Sequence, residues 1–215
     1  MKILSLNVGL PRRVLFHDRE VMTAIFKTPA EGPLMLYRLN LNGDRQADLE
    51  VHGGTNKAVY IYPFEHYAYW REQLPEVDFS WGHFGENLTT EGLREQDALI
   101  GDVYRMGQAV VRVTQPRMPC YKLGIRFGRD DMVKRFLASG RSGIYFSVVE
   151  QGLVNRGDTI EKTSTQPDGI SIQDVNRAYA NSHDNAELVR RIVSARILPR
   201  GLHQDFVDEL ARLDP

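Results

Sequence analysis

The first three-quarters of the chain carries short apolar runs with the periodicity of strands. Residues 2–8 set Ile3, Ser5 and Asn7 against Leu4, Leu6 and Val8, the period-two alternation of a half-buried strand. Residues 23–26, 33–37 and 58–62 are apolar or β-branched runs between glycine and proline punctuation. Residues 102–106 and 109–114 predict a hairpin, because Gly107-Gln108 between them suits a tight primed turn. Residues 143–149 predict a further strand that ends at the Gly152 turn. Many short strands at irregular spacing predict a barrel or folded-over sheet.

Helical patterns interrupt these runs. Pro63 suits the first turn of a helix reaching about Leu74, with Phe64, Tyr67, Trp70, Arg71 and Leu74 spaced for one face. Asp130 is placed to cap a second, in which Met132, Val133, Phe136 and Leu137 are apolar and Gly140 is the stop. Residues 163–169 (TSTQPDG) read as a polar linker, after which the pattern turns helical. Ser171 with Asp174 has the form of a capping box. Leu188, Ile192 and Val193 mark a second helix of this tail. Beyond a break at residues 199–201, Leu202, Phe206 and Leu210 mark a third. The expected organisation is mixed, mainly β: a β-rich unit over residues 1–162, then a three-helix unit over residues 163–215.

Charge narrows the function classes. The 27 Lys and Arg against 28 Asp and Glu give a net charge of −1 over 215 residues. That balance lacks the strong positive field that nucleic acid or a membrane surface demands. The single cysteine excludes a disulfide within the chain and a multi-thiolate zinc site, and it suits a reducing compartment. With no apolar run approaching about 18 residues and no signal-peptide pattern at residues 1–14, the expectation is a cytoplasmic protein.

Four stretches carry candidate chemistry. In DLEVHGGTNK (residues 48–57), Gly53 and Gly54 after His52 free the backbone to present amide donors, and Lys57 adds positive charge suited to an anion. A tight turn with a satisfied histidine fits the same residues. In FGENL (residues 84–88), Glu86 and Asn87 sit between apolar residues, able to aim a carboxylate and an amide inward or to form a surface turn. In QPRMPCYKL (residues 115–123), two prolines stiffen an irregular loop around Cys120, between Arg117 and Lys122. A lone cysteine is commonly a small buried hydrophobe; fixed backbone and flanking cations are the setting of a reactive one. Arg141 in GRSG (residues 140–143) suits a phosphate or plain solvent. The six histidines show no HExxH spacing, and no GxSxG elbow is present.

In this order, NLNGDRQADLEVHGG (residues 40–54), KAVYIYPFEHYAYW (57–70), FGENL (84–88), GD (101–102) and QPRMPCYKL (115–123) resemble the MOSC family. That family is named for the C-terminal domain of molybdenum-cofactor sulfurases, and the likeness runs toward its stand-alone bacterial YiiM-type group. It extends to about residue 158, and the helical tail resembles the three-helix appendage of YiiM-type members. The resemblance implies a MOSC-like β-barrel with peripheral helices that binds a molybdenum cofactor (molybdenum held by molybdopterin). It also implies a cysteine as the protein ligand to molybdenum. Cys120 alone can fill that position, and a thiolate suits a soft metal–dithiolene centre. Lys57, Glu86, Asn87, Arg117, Arg141, Gly53 and Gly54 become candidates for the phosphate and pterin. His52 becomes a proton donor near metal or substrate, oriented by Asp44 or Asp48.

The implied activity is reduction of small N-hydroxylated compounds, such as hydroxylaminopurines, to amines. Electrons would come from a separate flavin-type reductase, since the chain has neither an FAD or NAD fingerprint nor a cysteine cluster. A sulfur carrier or transferase using a persulfide on Cys120 is the alternative. The tail invites comparison with a helix-turn-helix. However, its arginines (Arg177, Arg190, Arg191, Arg196, Arg200, Arg212) are offset by nearby carboxylates such as Asp174, Glu187 and Glu209. It is therefore expected to pack on the barrel, lid its pocket or form a homodimer.

Overall fold

The structure, a computed structural model, describes residues 1–49, 53–167 and 169–213. The chain opens with β1 (Lys2–Val8), whose Ile3, Ser5 and Asn7 all turn inward, so two polar side chains lie inside the protein. A hairpin of β2 (Arg12–Phe16) and β3 (Arg19–Thr23) follows, then β4 (Thr28–Ala30) and β5 (Leu34–Leu36). A 3-10 turn at Thr55–Lys57 leads into β6 (Val59–Pro63), which is wholly buried. Next come α1 (Glu65–Gln73), β7 (Leu88–Glu91), β8 (Val103–Met106) and β9 (Ala109–Pro116). After α2 (Tyr121–Phe127) and α3 (Met132–Ser139), β10 (Ile144–Glu150), β11 (Gly152–Val154) and β12 (Ile160–Ser164) complete the strands. The tail holds α4 (Ile172–Ala180), α5 (Ala186–Ala195) and α6 (Arg200–Leu213).

Eight strands form one sheet in the order β12-β8-β9-β10-β6-β7-β1-β4, with β6 and β7 parallel and the other neighbours antiparallel. The expected hairpin is present as β8–β9, with Met106 opposite Ala109 across Gly107-Gln108. Of the expected barrel or folded-over sheet, the sheet takes the second form: it stays open, with β12 and β4 as its edges. It curls nonetheless: register irregularities in β1 and β10 bend it. The Ile3 N–H donates to the Asp158 carbonyl (2.9 Å) and the Ile160 N–H to the Met1 carbonyl (2.9 Å). That contact joins the start of β12 to β1, the neighbour of the β4 edge, and forms an isolated bridge, not a ladder.

Two apolar cores result. One lies along the sheet, where Val111, Val113 and Phe146 pack in the same cluster as Ile172 and Val175 of α4, Ile192 of α5 and Phe206 of α6. The other is aromatic: Tyr62, Trp70, Phe84 and Phe136 stack beneath α1 and α3, and the Trp70 Nε1–H donates to the Tyr62 hydroxyl (2.7 Å). The capping box is present, with the Ser171 Oγ accepting from the Asp174 N–H (3.0 Å) and the Ser171 N–H donating to the Asp174 carboxylate (3.2 Å).

Several local expectations are corrected. Of the run at residues 23–26, only Thr23 is strand, as the end of β3, and residues 24–27 form a non-regular segment. Pro63 ends β6, and the helix begins two residues later. Asp131, not Asp130, occupies the N-cap position of α3, and its carboxylate is drawn to Arg129 and Arg135 instead of capping. No helix among the described residues is long and apolar enough to cross a membrane.

Candidate functional site

One cavity gathers most of the singled-out residues. Its wall is built from Ala24, Ile25 and Lys27, residues 44–48, Lys57 at the end of the 3-10 turn, Tyr60 on β6, Asn87, the Arg117–Lys122 segment and Tyr145 on β10. Cys120 opens into it, partly exposed. As expected, Cys120 lies in an irregular segment around the prolines, and it ends that segment as the N-cap residue of α2 with an extended backbone (φ −120°, ψ 172°). Around it lie the side chains of Lys27, Arg45, Lys57, Arg117 and Lys122, against the carboxylates of Asp44 and Asp48. Five cations to two anions makes a cavity suited to an anionic guest.

The wall is stitched together below the surface. Asp44 is buried; its Oδ1 pairs with the Lys27 ammonium and accepts from the Gly9 N–H (2.8 Å), and its Oδ2 accepts from the Asn87 Nδ2 (2.8 Å). The Asn87 Oδ1 accepts from the Tyr60 N–H (3.1 Å), so both ends of that amide are committed to holding β6 against the Asp44 segment. Glu86 faces away from the cavity and is fully buried. It accepts from the Tyr67 hydroxyl (2.5 Å), the Thr89 hydroxyl (2.9 Å) and the N–H groups of Gly82 (2.9 Å) and Phe84 (3.1 Å). These donors hold a carboxylate that burial pushes above its ordinary range.

Arg117 is buried under the cavity between the rings of Tyr60 (5.2 Å from Cζ to centroid) and Phe136 (5.4 Å). Its Nη1 is buried and has no hydrogen-bond partner among the described residues. A guanidinium held by aromatic faces, with a donor to spare, is an anion receptor in waiting. Burial holds the Lys57 ammonium below its ordinary value, and the negative charge of a Cys120 thiolate pulls the other way. Burial likewise lowers Lys27, against the opposing pull of Asp44. Burial raises the Tyr60 and Tyr145 hydroxyls, which Arg117 counters.

The structure thus brings together Cys120, Asp44, Lys57, Asn87 and Arg117. Gly53 packs so closely that a Cβ there would lie 2.7 Å from the Leu49 carbonyl oxygen, and Gly54 starts the turn that delivers Lys57. His52 lies outside the described residues. Arg141 does not join the group: it sits 3.7 Å over the Tyr69 ring and lines a separate cleft of about 860 Å³. Sequence reasoning missed Lys27, Tyr60 and Tyr145. A lysine between Phe26 and Thr28 carries the signature of a surface residue, and the two tyrosines read as ordinary strand positions.

Residues 48–161 match the MOSC domain family. The uncharacterized protein YflK of Bacillus subtilis is 43% identical over 213 residues, spanning 99% of this chain and 96% of that one. Protein YiiM of Escherichia coli is 41% identical over 154 residues, 71% of this chain and 68% of its own. A protein of Gibberella moniliformis named Reductase is 39% identical over 144 residues, 66% of this chain but 26% of that longer one. The crystal structure of YiiM from Geobacillus stearothermophilus superposes with a TM-score of 0.80 at 34% identity, covering 97% of this chain and 98% of that one. The chain therefore belongs to the MOSC domain family and is of its YiiM type.

Proposed function

We propose that the protein is a molybdenum-cofactor-dependent oxidoreductase that reduces small N-hydroxylated compounds to amines. The observation that carries this reading is the only thiol of the chain opening into a cavity ringed by Lys27, Lys57, Arg117 and Lys122. The donor set fits the group. Cys120 offers one thiolate to a soft metal whose other sulfurs come from the pterin, and the unpartnered Nη1 of Arg117 offers a buried donor to a phosphate oxygen. The name of the Gibberella relative favours redox chemistry.

When bound, the cofactor would supply the two-electron centre for the overall change R–NHOH + 2e⁻ + 2H⁺ → R–NH₂ + H₂O. The chain's own residues do the rest. Cys120 would hold the metal, while Lys57, Arg117 and Lys122 would bind the phosphate. Asp44, Asn87 and Lys27 would keep that wall rigid, and His52 would deliver a proton to the departing oxygen. Electrons would come from a separate flavin-type reductase. Carriage of sulfur on Cys120 would use the thiol and the cations that favour its thiolate, but it would leave the buried, unpartnered Nη1 of Arg117 without a role.

The test is turnover. Protein expressed in a cofactor-competent host should convert a hydroxylaminopurine to the aminopurine with a chemical reductant or a flavin reductase, and Cys120→Ser should abolish it. A folded, molybdenum-loaded protein without turnover would overturn the substrate assignment.

A further inference from the structure

The guanidinium beneath the cavity has an aromatic support, and that support is anchored from the C-terminal helices. On α4, the Asn176 Nδ2 donates to the Ser142 Oγ (2.8 Å) and to the Gly140 carbonyl (3.3 Å). The Ser142 carbonyl accepts from the Tyr60 hydroxyl (2.8 Å), and the Tyr60 ring is one of the two faces that flank Arg117. The next residue is held as well: the Gly143 N–H donates to the Glu95 Oε1 (2.7 Å), whose Oε2 pairs with the His66 Nε2 (2.7 Å). Arg117, Phe136, Ser142 and Asn176 also share the lining of one small internal void, so the contacts are contiguous.

We propose that Asn176 is a positioning residue for the Cys120 cavity: α4 holds residues 140–142, these anchor the Tyr60 hydroxyl, and the Tyr60 ring sets where Arg117 presents its charge. The helical tail is then part of the site's machinery without contributing a group to the cavity. This inference rests on that cavity being the functional site.

The single cysteine provides a readout independent of any cofactor. The rate at which Cys120 reacts with the dianion 5,5′-dithiobis(2-nitrobenzoate), divided by its rate with neutral 2,2′-dipyridyl disulfide and normalised to glutathione, reports the positive field at the thiol. Wild type should prefer the anionic reagent. Asn176→Ala and Tyr60→Phe should each lower the ratio by about threefold, while Asp174→Ala, which removes the carboxylate half of the capping box of the same helix, should leave it unchanged. Tyr60→Phe keeps the ring and carries the test if Asn176→Ala does not fold. An anionic preference that survives both variants, or that falls equally with Asp174→Ala, overturns the positioning role. No preference in wild type overturns the reading of the cavity itself.

Discussion

Lys27 and Asp44 form an ion pair sealed inside the protein at the wall of the Cys120 cavity, both side chains almost wholly buried. Removing one partner strands the other. Asp44→Ala should cost about 3–5 kcal/mol, because it leaves the Lys27 charge without its counter-ion and the Gly9 and Asn87 donors without an acceptor. Lys27→Met should cost less, on the order of 1–3 kcal/mol, since Asp44 keeps those two donors. Urea denaturation of both single variants and the double variant checks the order; a larger loss for Lys27→Met would contradict it.

Much of this fold could be read from periodicity because buried strands impose it: β1, the β8–β9 hairpin, β10 and the capping box of α4 lie where the pattern puts them. The β2–β3 hairpin could not. Its residues are exposed or only partly covered until Thr23, and its turn uses His17 and Asp18 at positive φ where glycine or asparagine would have signalled it. The short helix α2 hides behind Pro119 and a central Gly124, placed where a Cβ would meet the Arg129 carbonyl oxygen at 2.7 Å. In the site, Cys120 and Arg117 carry local signals. Lys27 carries none, because its role depends on a carboxylate 17 residues away.

Asp102 ties the sheet to the start of the tail. Its carboxylate takes the Lys162 ammonium (2.7 Å), the Leu99 N–H (3.0 Å), the Thr165 hydroxyl (2.8 Å) and the Gln166 N–H (3.1 Å). Burial pushes its pKa up, but these partners outweigh burial and hold it below the ordinary aspartate value of 3.8. The stability it contributes is therefore complete above that value and is lost as pH falls through the lower folded one. Asp102→Asn should cost about 2–3 kcal/mol at pH near 7, and this gap should narrow toward pH near 3. A gap that stays constant with pH would contradict the ionic role.

His83 works in the opposite medium. It is buried among Phe79, Phe84 and Phe127, with Arg126 against its Nδ1 (3.1 Å). Burial first, and the arginine charge second, depress its pKa from 6.5 to about 3. The unfolded chain therefore takes up a proton below pH 6.5 that the folded one refuses until about pH 3. Stability is full above the upper value and falls between the two, with a slope approaching about 1.4 kcal/mol per pH unit. Replacing His83 with Gln should flatten that part of the curve in denaturation series across the acid range. An unchanged slope would place the acid sensitivity elsewhere.

The central claim is that Cys120 and the surrounding cations hold a molybdenum cofactor, and metal with pterin analysis tests it most directly. Wild type and Cys120→Ser, expressed in a cofactor-competent host and purified folded, should differ: molybdenum and pterin approaching one per chain in the first, and a large loss of metal in the second. Wild type free of both, or a serine variant that retains molybdenum at the wild-type level, would contradict it.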